Sequence, residues 1–197
     1  FLVEAARNQV FPLDDRGYPR VRDGLPHSIL GDRQSFTLTE GDIVPEDVIR
    51  STLNRSYVIT ARLDVPKTRD AEGVLAAAGG YPAGFALYVE RGRPMYTYNY
   101  FGQKYTTVAS KAKLAAGKAI VRYEFAYDGG GRGKGGEAKL FVNDKLVGER
   151  RLAATVPAAF TASETFDIGL DSGTPAGLYG NPFAFNGHLE SVTVDLK

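Results

Sequence analysis

The residues best equipped for chemistry lie in YDGGGRGKGGE, Tyr127 to Glu137, where six of eleven residues are glycine and an arginine and a lysine sit among them. Glycine backbone beside a cation is a common way to cradle phosphate. GRGKGG, Gly131 to Gly136, matches G-x-G-x-x-G. That motif works only where a strand precedes it and a helix follows, so that phosphate meets a helix N-terminus. Here EAKLFVNDKLVGE follows and reads as two strands turning at Asn143-Asp144. The P-loop spacing also fails, since Asp128 and Gly135 stand where glycine and Ser/Thr are required. The pattern therefore predicts a hairpin loop that orders only against a partner surface, with Arg132 and Lys134 facing that partner or water.

The aromatic run PMYTYNYFGQKYTT is the second candidate. Tyr96, Tyr98 and Tyr100 recur every second residue and so share one face of a strand. Such a row can stack sugar rings, or it can pack in a core or against another domain. In FDIGLDSGTPAGLYG, Asp167 and Asp171 beside a Pro/Gly-rich loop are weak candidates for calcium ligands. The alternative is turn capping by short carboxylates. His27 and His188 have no second histidine at ligand spacing, and no serine lies in G-x-S-x-G. Asn54-Arg55-Ser56 is a glycosylation sequon.

Composition narrows the classes. The chain has 197 residues, 43% hydrophobic, with 11 Tyr, 11 Phe and no Trp, which suits one globular domain. Formal net charge is +1, from 24 basic and 23 acidic residues, so nothing draws the chain electrostatically to nucleic acid or an anionic membrane. No run approaches the roughly 18 apolar residues of a membrane-spanning helix. The absence of cysteine excludes disulfides, thiolate metal sites and cysteine nucleophiles, and leaves the compartment open between cytoplasm and periplasm or secretion. The chain starts at Phe1 and its one methionine is Met95, the expectation being a processed protein or an excised piece.

The elements that must position these residues are strands. FLVEAARNQVFPLDDR reads as a short helix ended by Pro12. Residues 17 to 56 look irregular, with one short strand at Ser35 to Thr39, and are expected to form a connecting segment. From Tyr57 onward YVITARLDV, KAIVRYEFAYD and GHLESVTVDL alternate, while GVLAAAG, GFALYVERG and PMYTYNYFG are more continuously apolar. About ten strand candidates recur at intervals of about 8 to 12 residues, the pattern of a β-sandwich or barrel. The expected division is a helix and connecting segment over 1–56 and a sandwich over 57–197.

Read in order, FLVEAARNQVFPLDDR, NRSYVITA, AEGVLAAAGG, GFALYVERGRPMYTYNYFG, AGKAIVRYEFAYDGGGRGKGGEAKLFVNDKLVGE and FDIGLDSGTP resemble the C-terminal region of large bacterial arylsulfatases. The resemblance spans essentially the whole chain, and PLDDR, YDGGGxGKGG and DxGxDxGTP are its most specific pieces. It implies a concanavalin A-like or laminin G-like jelly-roll antiparallel sandwich lying after a sulfatase domain. The parent enzyme would use calcium and a formylglycine made from Cys or Ser in C/S-x-P-x-R. No serine here is followed by x-P-x-R, so none of those residues can be carried onto this chain.

Three functions remain. A non-catalytic accessory domain would pack on the missing N-terminal sulfatase domain, shape its rim or assist oligomerisation. A carbohydrate- or sulfated-glycan-binding module would use Tyr96, Tyr98, Tyr100, Arg132 and Lys134. A sandwich hydrolase of the glucanase type ranks last, because no strand carries the paired carboxylates that glycoside hydrolysis needs.

Overall fold

A computed structural model of the chain describes residues 2–7, 31–46, 49, 52–161, 163–180 and 182–197. His27 and the PLDDR segment at 12–16 lie outside the described residues. The chain divides into two units, Phe1–Gly31 and Asp32–Lys197. In the first, helix α1 spans Leu2–Arg7, with Glu4 in its first turn and Arg7 in its last, paired at 3.0 Å. This order of charges complements the helix dipole.

The second unit is an antiparallel β-sandwich. One six-stranded sheet runs β1 (Ser35–Leu38), β12 (His188–Leu196), β3 (Tyr57–Val65), β8 (Gly117–Tyr127), β9 (Gly136–Val142), β10 (Lys145–Leu152). The other runs β2 (Ile43–Pro45), β11 (Thr165–Ile168), β4 (Gly73–Gly79), β5 (Gly84–Glu90), β6 (Arg93–Tyr100), β7 (Lys104–Ala109). The unit starts at Asp32, not at Tyr57: β1 pairs with β12 and β2 with β11, so residues 32–56 supply an edge strand to each sheet. Edge strands are short and polar because one flank faces water, which is why this segment read as a connector.

In the first sheet the sequence alternation translates directly into burial. β3 turns Tyr57, Ile59, Ala61, Leu63 and Val65 inward, and β8 turns Val121, Tyr123 and Phe125 inward. On β12 the buried set skips from Leu189 to Val192, and a bulge between Leu189 and Ser191 absorbs the extra residue. β9 and β10 join at Asn143 and Asp144, both with positive φ, 47° and 64°, as a two-residue hairpin turn requires.

β4 and β5 are buried on both faces. The described residues between β11 and β12, 169–180 and 182–187, include a cover over the outside of the second sheet. Its Ala176, Tyr179 and Phe183 pack on Val74, Ala77, Ala86 and Tyr88, with the Tyr88 and Tyr179 rings 5.0 Å apart. Asp171 anchors this cover: its carboxylate accepts from the Tyr179 hydroxyl at 2.6 Å and from Ala176 N–H at 3.1 Å. Asp167 accepts from Ser172 N–H and Oγ and from Thr165 Oγ1.

Aromatic rings join the sheets. Tyr96 of β6 stacks on Tyr123 of β8 at 3.5 Å and 8°, and its hydroxyl meets that of Tyr57 at 2.8 Å. Burial pushes the hydroxyls of Tyr57, Tyr96, Tyr98 and Tyr123 above the usual phenol range, so all remain neutral. The buried Tyr123 hydroxyl has no hydrogen-bond partner among the described residues.

Two outcomes follow from these contacts. Tyr123→Phe removes an unsatisfied hydroxyl and is expected to be neutral or to stabilise by up to about 1 kcal/mol, whereas Tyr96→Phe breaks a satisfied pair and costs about 1 kcal/mol. Denaturant midpoints of the two variants check the sign. Burial also raises the Asp171 carboxyl above its ordinary value. A carboxyl raised in the folded state contributes stability that is complete below its unfolded pKa, about 3.9, and is lost as pH rises through the folded value. Asp171→Asn carries no such titration. As pH rises above about 4 the wild-type chain should lose stability relative to this variant, and parallel unfolding curves would refute the assignment.

Candidate functional site

The structure separates the residues that the sequence grouped. Tyr96 and Tyr98 point into the sandwich, 0% and 4% exposed, with Tyr96 covered by Tyr123 and Phe85. Neither ring has a face open to a sugar, so these two belong to the core. The Tyr98 hydroxyl accepts from Val156 N–H at 2.8 Å. Tyr100 ends the same row, half-buried, with its ring 4.8 Å from that of Phe101.

The glycine stretch is the β8–β9 hairpin loop, and it is held by the chain itself. Gly133 N–H donates to Asn54 Oδ1 at 2.7 Å, and Asn54 Nδ2 donates to the Pro157 carbonyl at 2.8 Å. The Tyr127 hydroxyl donates to Gly131 O and accepts from Lys134 N–H. Gly129, Gly130, Gly131 and Gly133 all adopt positive φ, which explains their number. The expected dependence on a partner surface is therefore not needed: internal bonds order the loop. Arg132 and Lys134 are both exposed on it.

Asp167 and Asp171 cap the loop that covers the second sheet and spend their oxygens on its donors. Among the described residues no group of three or more His, Asp or Glu is placed to hold a metal ion. His188 is exposed and its Nδ1 lies 3.1 Å from Glu40 Oε2.

With one face of the second sheet covered, the open face is that of the first. On its outside Thr193, Thr60 and Arg122 lie in one cross-strand row and Asp195, Val58 and Glu124 in the next. All of these but Thr193, together with Ser56, Ala126 and Lys197, line a shallow groove of about 470 Å³. Arg122 is its fixed point. The guanidinium lies 4.4 Å over the Phe141 ring and bonds Glu124 and Asp144. A guanidinium has five N–H donors in a plane, so two carboxylates orient it and leave donors over for a ligand. Hydroxyls, a held arginine and carboxylates of opposite sign suit a polyhydroxylated ligand. The sequence signal was present: Arg122 and Glu124 sit two apart on the polar face of an alternating strand. Nothing in sequence distinguishes such a pair from an ordinary solvated face, because the cross-strand neighbours decide it.

No protein-family model matches the chain, and no curated protein matches it at a significant level. Solved structures do resemble it. The CBM40 carbohydrate-binding module of the Ruminococcus gnavus IT-sialidase, bound to α2,3-sialyllactose, is 16% identical over 83% of this chain and 90% of its own, with a TM-score of 0.54. The leech intramolecular trans-sialidase is 14% identical over 87% of this chain and 26% of its own, with a TM-score of 0.51. A variant of NanB sialidase from Streptococcus pneumoniae is 9% identical over 82% of this chain and 25% of its own, with a TM-score of 0.52. At these identities the likeness is one of fold: this chain is a jelly-roll type β-sandwich, similar to carbohydrate-binding modules and to part of larger sialidases.

Proposed function

We propose that the chain is a non-catalytic glycan-binding module that takes an acidic sugar in the groove on the outer face of the first sheet. The observation that carries this is Arg122, held by Glu124, Asp144 and the Phe141 ring in a hydroxyl-lined groove. The sialyllactose-bound CBM40 relative in fold supports the ligand class. Arg122 would face the sugar's carboxylate or sulfate, with Thr60 and Ser56 at its hydroxyls. The resemblance to arylsulfatase C-terminal regions supports an accessory role beside a catalytic domain, where such a groove would hold an anionic glycan near the enzyme. In that reading the isolated chain turns over no aryl sulfate.

Calorimetric titration tests the groove. Sialyllactose should bind the chain better than lactose. Arg122→Gln should weaken that binding by at least about 10-fold, the scale of a lost charge-assisted contact, with Tm nearly unchanged. Equal affinity for the acidic and neutral sugar, or an unaltered variant, would sink the proposal.

A further inference from the structure

The second sheet carries a different feature at its tips. The β4–β5 turn and the β6–β7 turn lie at the same end of the sheet, since the four strands run antiparallel in sequence order. Each presents a large side chain to water: Tyr81 is 66% exposed and Phe101 is 42% exposed.

The two turns are locked together from beneath. Asn99 is fully enclosed, and its side chain spends itself on them. Nδ2 donates to Gly80 O at 2.9 Å and to Tyr81 O at 3.0 Å, and Oδ1 accepts from Gly102 N–H at 2.8 Å. Tyr81 N–H donates to Thr174 Oγ1 at 2.9 Å, tying the turn to the loop that covers the sheet. The rings are thus on a rigid base.

Phe101 adds an observation of another kind. Its φ is 54°, the left-handed region that disfavours a bulky side chain and suits Gly or Asn. The chain keeps an aromatic ring there, exposed and braced edge-on by Tyr100. Strain retained at an exposed position points to a role for the side chain rather than for the turn.

We infer that Tyr81 and Phe101 form a stacking platform for an uncharged sugar ring, separate from the Arg122 groove. Residues 80–84, GYPAG, and 99–103, NYFGQ, contain no charged side chain. The turns themselves carry no charge, which matches a neutral ligand, although the Glu164 carboxylate lies on the far side of Thr174, accepting from its Oγ1 at 2.8 Å. The apolar face of a pyranose covers the rings, while the Tyr81 hydroxyl and the exposed Gln103 amide meet its hydroxyl edge. The inference rests on the glycan-binding reading of the chain and names a second subsite with its own ligand class.

The test is NMR titration with lactose and with maltotetraose. One of the two should shift the backbone amides of Tyr81 and Gly102 saturably. Phe101→Gly should lose at least 10-fold in that affinity while its Tm rises by a few degrees, because glycine relieves the left-handed strain. Tyr81→Ala should lose binding without the rise. Arg122→Gln should bind the neutral sugar as wild type does, so failure of the groove and failure of the platform read out separately. Still amides with both sugars, or full affinity in Phe101→Gly, would overturn the platform.

Discussion

The contact between Tyr96 and Tyr123 is the constraint on which the rest depends. Stacked at 3.5 Å, it sets how closely the two sheets approach at the centre of the sandwich. Tyr57 and Phe85 extend the cluster to both sides, with ring centroids 6.0 Å from Tyr57 to Tyr123 and 5.6 Å from Phe85 to Tyr96. An aromatic core of this kind brings large area but also hydroxyls that need partners. Two of them find each other, and Tyr98 finds a loop amide, so the loop after β10 is fixed by the same core. The outer faces can then be specialised because the inner ones are rigid.

Those outer faces are treated differently. The second sheet is covered on the outside at Val74, Ala77, Ala86 and Tyr88 by Ala176, Tyr179 and Phe183, a cover fastened by Asp167 and Asp171. Small residues on the covered face, Ala77 of β4 and Ala86 of β5, let that cover lie close. The outward residues of the first sheet's central strands, Thr60, Arg122, Glu124 and Asp195 among them, are polar and half-exposed. The groove carries charged side chains, whereas residues 80–84 and 99–103 at the tips carry none.

Much of this was legible in the residues. Alternation over Tyr57–Val65 and Gly117–Tyr127 identified strands and their inward faces, because those strands are solvated on one side. The turn at Asn143-Asp144 announced itself through residues that tolerate positive φ. The tyrosine row was seen, but its direction was not: a period of two tells which residues share a face, never which face is the core. The edge strands β1 and β2 were underestimated because their stability comes from β12 and β11, more than a hundred residues away. Arg122 escaped for a similar reason. Its character comes from Phe141 and Asp144 on the neighbouring hairpin, and no local pattern carries that information.

Asn54 has a consequence for biosynthesis. It opens a three-residue acceptor sequence, yet in the folded chain its amide nitrogen already donates to Pro157 while its oxygen holds Gly133. Attaching a saccharide to that nitrogen would remove a donor hydrogen and crowd the seam between two loops. Folding and modification thus compete for one atom. In a compartment that glycosylates asparagine, the order of these two events would decide whether the hairpin loop closes, and rapid folding is what protects it.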